Sequence, residues 1–80
     1  MSRRSLLSRI TVDPAVCHGR PCVRGLRYPV DMILDLLSGS MTEREVLDDY
    51  PDLEPDDLRA VLAYAAEVTR TGRAFPLGAA

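Results

Sequence analysis

The sequence predicts a mainly α-helical protein: a three-helix, homeodomain-like helix-turn-helix unit preceded by a short N-terminal β-hairpin. Two observations point to this fold. Apolar residues recur at helical spacing from residue 30 onward, and proline or glycine follows each periodic stretch. Before residue 30, glycines and a proline separate two short apolar segments. With 80 residues, the chain has room for one domain, which we place at residues 10–70.

The hairpin is predicted over residues 10–29. Its first strand begins at Ile10, and its second covers residues 26–28, where two apolar residues bracket an arginine at the two-residue spacing of a strand. Gly19 and Gly25 lie between these strands and can adopt the positive φ that turns require. A lone two-stranded element is marginally stable, so it needs a helix to pack on.

The first helix is predicted over residues 30–38. Its apolar stripe follows the i, i+3, i+4, i+7 pattern and consists of Val30, Ile33, Leu34 and Leu37. Met32 and Leu36 add a second apolar row. A helix this apolar favours a homodimer that buries Met32 or Leu36 and pairs or packs the hairpin regions. Gly39 is expected to end the helix in the left-handed conformation.

The second helix is predicted over residues 42–50. Thr42 and Glu45 match the T-x-x-E capping box at its start. Pro51 ends it, because the residue before a proline is pushed out of the helical region.

The third helix is predicted over residues 55–70, with Pro55 at its first position. Asp56 and Asp57 suit the positive end of the helix dipole, and we expect both to face solvent. The buried stripe is predicted to consist of Leu58, Val61, Leu62 and Ala65.

Residues 1–9 and 71–80 lie outside the predicted domain. The first segment is basic and expected to be loose, without the apolar stretch of a signal peptide, and the second is expected to be a tail. No apolar run approaches the roughly 20 residues of a membrane-spanning helix. Two cysteines are too few for a disulfide scaffold. We therefore expect a cytoplasmic protein without membrane contact.

The charges are distributed unevenly along the chain. Residues 1–27 hold six arginines and one acid, a net charge of +5, whereas residues 28–80 hold four arginines and eleven acids, a net charge of −7. This asymmetry predicts two surfaces with different partners. We expect Arg20, Arg24 and Arg27 of the hairpin, with Arg59 of the third helix, to contact DNA phosphates. The alternative is that these arginines only make the hairpin soluble.

No group of residues predicts catalysis or a cofactor. His18 is the only histidine, and its neighbour Cys17 points the other way in an extended chain. Cys17, His18 and Cys22 supply three of the four ligands that structural zinc requires, which keeps a small metal-binding protein as an alternative. The simpler interpretation is that both cysteines pack as small apolar residues. We expect no enzymatic activity and no metal.

The C-terminal tail holds Phe75, the only phenylalanine, between Arg73 and Leu77. Aromatic residues and arginines are enriched at binding hot spots, so these three residues are predicted to contact a partner protein. The alternatives are a disordered tail or Phe75 folded back onto the first helix.

Several separated motifs resemble one protein family. They are ITVDP at residues 10–14, CHGRPCVRGLRYPV at residues 17–30, SGSMT at residues 38–42, YPDL at residues 50–53 and RAVLAYAA at residues 59–66. In this order they resemble the domain-of-unknown-function 433 (DUF433) family, over about residues 8–70. Glu54 stands where the family usually has a capping Thr or Ser, so the third helix is expected to fray at its start.

The resemblance implies a helix-turn-helix protein regarded as a VapB-like antitoxin and often encoded beside a PIN-like nuclease. We therefore expect an antitoxin of a type II toxin–antitoxin system, which neutralises a PIN-like toxin by direct binding and represses its own operon through DNA binding. The third helix carries acids as well as arginines on its predicted outward face. This mixture keeps a protein–protein adaptor without a nucleic-acid role as an alternative.

Overall fold

The computed structural model describes residues 2–72, which are mainly helical. The described residues form a two-stranded antiparallel sheet and four α-helices: α1 Arg3–Leu7, β1 Ile10–Thr11, β2 Cys22–Val23, α2 Val30–Ser38, α3 Glu43–Asp49 and α4 Pro55–Thr71. The predicted bounds of the last three helices differ from these by at most one residue. Among the described helices, none combines the length and apolarity needed to cross a membrane.

The second strand lies earlier in the chain than predicted. It is formed by Cys22–Val23, with Ile10 opposite Val23, and residues 26–28 are not part of it. The N–H of Leu26 donates to the carbonyl of Val23 at 2.7 Å, which closes a tight turn. Tyr28 then returns along β2 and packs against the core. The apolar spacing of residues 26–28 therefore reflects this return segment and not a strand of the sheet.

Helix α1 occupies part of the segment that we expected to be loose. The hydroxyl of Ser2 accepts a hydrogen bond from the N–H of Ser5 at 3.1 Å, which caps the helix. Leu6 is buried, and α1 packs along α4. Ala60 of α4 is fully buried as well, although it is not part of the predicted buried stripe. Small side chains on α4 let the two helix backbones approach closely, and this contact orders α1.

The core lies between the sheet and the last three helices. Its buried members are Val23, Val30, Ile33, Val46, Leu53, Leu58 and Val61. In the predicted stripe of α2, Val30 and Ile33 are buried, and Leu34 and Leu37 are half-buried. Met32 and Leu36 of the second row also lie half-buried against the core. Helix α4 is rotated relative to the prediction: Leu62 is 46% exposed, and Asp57 is fully buried.

The helix ends follow the predicted capping in one case and differ in two. At α3, the N–H of Thr42 donates to Glu45 and the N–H of Glu45 donates to the Thr42 hydroxyl, so the capping box is confirmed. Gly39 ends α2 with φ −82°, so the left-handed prediction is wrong. At α4, the Asp57 carboxylate accepts the N–H of Glu54 at 2.8 Å. This bond holds the helix start that we expected to fray.

Candidate functional site

The turn after β2 places an arginine in a strained backbone conformation. Arg24 and Gly25, its two central residues, have φ +46° and φ +72°. Two successive positive φ values are typical of type I′ hairpin turns, whose twist matches that of the strands. Glycine adopts this conformation freely, but a residue with a side chain is destabilised by about 1–2 kcal/mol. Surrounding contacts must therefore hold Arg24 in place.

Those contacts come from helix α4. Nε of Arg24 donates to Oδ1 of Asp57 at 3.0 Å, and Nη2 donates to Oδ2 at 2.9 Å. Nη2 also donates to the carbonyl of Asp52 at 2.8 Å. A guanidinium that holds both oxygens of one carboxylate is among the strongest charged contacts in proteins. The strained turn is thus fixed to the first turn of α4.

A second arginine binds the same carboxylate. Nη1 of Arg9 donates to Oδ1 of Asp57 at 2.9 Å and to Oε1 of Glu54 at 2.8 Å. We call Arg9, Arg24, Glu54 and Asp57 the Asp57 cluster. It joins the residue before β1, the turn after β2 and the start of α4. Within residues 2–72, no buried side-chain nitrogen or oxygen lacks a hydrogen-bond partner. Hydrogen bonds of this kind reduce the free-energy cost of burying a charged group.

Contacts in the cluster shift the pKa values of Asp57, Arg9 and Arg24. Burial alone raises the pKa of Asp57, but hydrogen bonds from Arg24, from the N–H of Glu54 and from Arg9 outweigh burial. The pKa of Asp57 therefore lies below its ordinary value. Hydrogen bonding to the carboxylates raises the pKa values of both arginines. All of these charges are consequently retained at neutral pH.

The four arginines predicted to contact DNA lie in different environments. Arg24 is committed to the Asp57 cluster, and Arg20 forms an ion pair with Asp31 at the start of α2. Arg59 is exposed, 3.9 Å from Asp56. Arg27 is exposed and makes no ion pair within residues 2–72. The structure therefore does not gather these arginines into one free basic surface.

Internal pairing accounts for much of the charge asymmetry of the sequence. Each of four arginines from residues 1–27 pairs with an acid from residues 28–80: Arg3 with Glu67, Arg9 with Glu54 and Asp57, Arg20 with Asp31, and Arg24 with Asp57. Opposite charges on the two halves of the chain thus meet inside one molecule. The excess charge of the N-terminal segment is a weaker indicator of a nucleic-acid partner than the sequence suggested.

The segment with Cys17, His18 and Cys22 forms an unusual turn. Cys17 and His18 both have positive φ, as does the following glycine. Cys17 is half-buried, His18 is exposed and Cys22 is buried, and both thiols are free. Burial raises the pKa of the Cys22 thiol, and contact with Cys17 raises it further. In the described residues, these three side chains do not come together as a set of metal ligands.

Exposed apolar side chains mark the surface of the described residues. Leu62 and Val68 of α4 are 46% and 48% exposed, and Val12 beside β1 is 62% exposed. The described part of the chain has no pocket for a small molecule. The residues predicted to bind a partner, Arg73, Phe75 and Leu77, lie outside the described residues.

Comparison with known proteins identifies the relatives of this architecture. The family model described as a protein of unknown function (DUF433) matches residues 10–65, from β1 into the second half of α4. The chain belongs to the DUF433 family. The matched range contains three members of the Asp57 cluster and ends before the C-terminal tail.

A crystal structure of a DUF433 member protein from Anabaena variabilis ATCC 29413 is similar to this chain. The two sequences are 30% identical, the TM-score is 0.72, and the match covers 80% of this chain and 63% of the other. This chain thus spans less than two thirds of the length of that DUF433 protein. No curated protein matches this chain.

Sequence reasoning missed the Asp57 cluster of this DUF433 chain. Asp57 looked like one of two solvent-facing acids in the first turn of α4, and Arg24 looked like a surface arginine. One signal was present in the sequence, because Arg24 precedes Gly25. When a glycine is the second central residue of a type I′ turn, the residue before it has a positive φ as well. The pairing partner, 33 residues later, gave no local signal.

Proposed function

We propose that this DUF433 chain is the antitoxin of a type II toxin–antitoxin pair and neutralises a PIN-like nuclease by direct binding. The supporting observation is the contrast between its charged and apolar surfaces. The N-terminal arginines are mostly paired within the chain, whereas Leu62 and Val68 stay exposed on α4. A surface of this kind favours contact with a protein over contact with phosphates. The resemblance to VapB-like antitoxins supplies the class of partner.

The proposed contact surface wraps the C-terminal half of α4. Leu62 and Val68 lie about 120° apart around the helix axis, and the ion pair of Glu67 and Arg70, 2.8 Å apart, lies on the wider, exposed arc between them. Apolar and charged residues side by side are typical of protein interfaces. We propose that the C-terminal residues Arg73, Phe75 and Leu77, which follow α4 in sequence and lie outside the described residues, contribute to the same contact. Arg73 would meet the carboxylates that a nuclease arranges around its metal ion.

Co-expression with a PIN-like protein encoded beside this gene tests the proposal. We expect the two proteins to purify together and the nuclease to lose cleavage of single-stranded RNA in the complex. Leu62→Asp and Val68→Asp should each weaken the complex at least about tenfold, because each buries an unpaired carboxylate in the interface. Val12→Asp is the matched control: it places the same charge at an exposed valine that is not on α4, and it should leave nuclease binding unchanged.

A chain ending at Thr71 separates the two parts of the proposed surface. Loss of neutralisation by this shortened chain, with α4 intact, would assign the decisive contact to Arg73, Phe75 and Leu77. Full neutralisation would assign it to the described helices. If the chain binds the nuclease but leaves RNA cleavage unchanged, it is an adaptor, and the antitoxin proposal is wrong.

Repression of its own operon is the second candidate function. The layout of α3, a turn at residues 50–54 and α4 has the proportions of a helix-turn-helix. Of the four arginines predicted to contact DNA, we propose Arg27 and Arg59 for this role, because Arg27 makes no ion pair within residues 2–72 and Arg59 makes only a long one. Replacing both with alanine should lower affinity for the upstream DNA and reduce the salt dependence by about one phosphate per arginine. An unchanged affinity and salt slope would leave the chain without a DNA-binding role.

A further inference from the structure

The two-stranded sheet has one edge that is covered by another segment and one edge that is open. The sheet order is β1–β2, and the far side of β2 is taken by the return segment: the N–H of Val23 donates to the carbonyl of Tyr28, and Cys22 bridges to Pro29. Strand β1 is therefore the edge of the sheet. An open strand edge presents unpaired N–H and C=O groups to any strand that can align with it.

The register identifies which groups of β1 point outward. The N–H of Arg24 donates to the carbonyl of Arg9 at 2.7 Å, and Thr11 lies opposite Cys22. Hydrogen bonding alternates along an antiparallel pair, so Arg9 and Thr11 bond toward β2. The N–H and C=O groups of Ile10 consequently point away from the sheet, and continuing the same alternation one residue past β1 gives Val12 the same direction. Val12 is the most exposed large apolar residue in the described part of the chain.

We propose that this edge pairs with β1 of a second copy, antiparallel and with Thr11 on the two-fold axis. In this register Ile10 of each copy lies opposite Val12 of the other. Both residues direct their backbone groups outward, so each such pair exchanges two hydrogen bonds. The Val12 side chain then contacts Ile10 across the strands, which removes apolar surface from water. The result is a four-stranded sheet shared by two chains.

Self-complementarity of the segment favours a second copy over another strand. Residues 9–13 read Arg-Ile-Thr-Val-Asp, with a basic residue at one end and an acidic residue at the other. Parallel pairing would place Arg9 beside Arg9 and Asp13 beside Asp13. Antiparallel pairing about Thr11 avoids this, because it places Asp13 of each copy opposite the Arg9 of the other, whose guanidinium stays bound to Asp57 and Glu54. An isologous two-fold contact requires this kind of match of a surface with itself. The pairing is independent of nuclease binding by α4.

Sedimentation equilibrium of the full chain from micromolar to millimolar concentration tests the pairing. We expect a reversible monomer–dimer equilibrium. Val12→Asp should raise the dissociation constant at least about tenfold, because it removes two symmetric apolar pairs and puts charge between the strands. Val68→Asp adds the same charge at an exposed valine of α4 and should leave the dissociation constant unchanged. Circular dichroism should show equal helix content in all three proteins.

NMR on a mixture of isotope-labelled and unlabelled chains supplies the second readout. Intermolecular nuclear Overhauser effects should connect the methyl groups of Ile10 and Val12, and the amides of these two residues should exchange more slowly at high concentration. A monomer at every concentration would overturn the proposal. A dimer unaffected by Val12→Asp, or one whose intermolecular contacts lie at Met32 and Leu36, would overturn it too. Slow exchange at the edge only on addition of the nuclease would assign the edge to that protein.

Discussion

Arg24 and Asp57, 33 residues apart in sequence, form a two-pronged ion pair in which the carboxylate is fully buried. The pair connects the strained turn after β2 to the first turn of α4. Arg24 contributes a left-handed backbone conformation to this contact, and Asp57 contributes the cap of a helix. Arg24, which we predicted to contact DNA, therefore stabilises the fold through Asp57.

Removal of the buried carboxylate should destabilise the whole domain. Asp57→Asn keeps the shape of the side chain but removes the carboxylate that pairs with Arg24 and leaves Arg9 with Glu54 as its close partner. Breaking a buried ion pair in this way lowers the free energy of unfolding by about 3–5 kcal/mol. Urea denaturation followed by circular dichroism measures the loss. Asp56→Asn, at a half-buried neighbour with only long ion-pair contacts, should change stability by less than about 1 kcal/mol.

The Asp57 carboxylate should also make the free energy of unfolding depend on pH. Because the pKa of Asp57 is lower in the folded chain than in the unfolded chain, the ionised form stabilises the fold. This contribution is complete above the unfolded value of about 4 and is lost as the pH falls through the lower folded pKa. Denaturation between pH 2 and pH 7 should therefore show wild type and Asp57→Asn converging at the acid end. A constant difference across this range would contradict the lowered pKa.

Arg24 and Arg27 should behave differently although both lie in the hairpin region. Arg24→Ala removes the two-pronged contact and should lower the free energy of unfolding by about 3 kcal/mol or more. Arg27→Ala should leave stability within about 0.5 kcal/mol, since Arg27 is exposed. Thermal denaturation of the two variants compares them directly. Equal melting temperatures would mean that the Arg24–Asp57 pair contributes nothing to stability.

Substitution of Gly25 should destabilise the protein because of its backbone conformation alone. A Cβ at Gly25 would have nothing within 4 Å, so alanine fits in space, but φ +72° is strained for any side chain. We expect Gly25→Ala to cost about 1–2 kcal/mol. Gly39→Ala is the control, because Gly39 has φ −82° and a Cβ there would make only ordinary contacts. Chemical denaturation of the two variants should give a clear loss at Gly25 and little change or a slight gain at Gly39.

Local sequence patterns predicted the bounds of α2, α3 and α4 well, because capping and apolar spacing act between residues that are close in sequence. The Thr42–Glu45 capping box and the Val30–Ile33 spacing each act within a few residues, and both have the predicted geometry. The second strand was misplaced because a tight turn and its return segment share the spacing of a short strand.

The remaining errors have a common cause in long-range contacts. Helix α1 is ordered by α4, and Asp57 is buried by two arginines that lie more than 30 residues earlier in the chain. A tertiary partner at that distance leaves no periodicity near the residue it affects. The Asp57 cluster could therefore be recognised only once the fold was known.

The contact between α1 and α4 has a consequence for biosynthesis. Arg3 bonds to the Ala63 carbonyl, 60 residues later, so the N-terminal helix reaches its place only after most of the chain has been translated. At about 5–20 residues per second, the interval is roughly 3–12 seconds. Until α4 has been synthesised, Leu6 cannot be buried against it. Docking of α1 therefore depends on a partner that is made nearly a whole domain later.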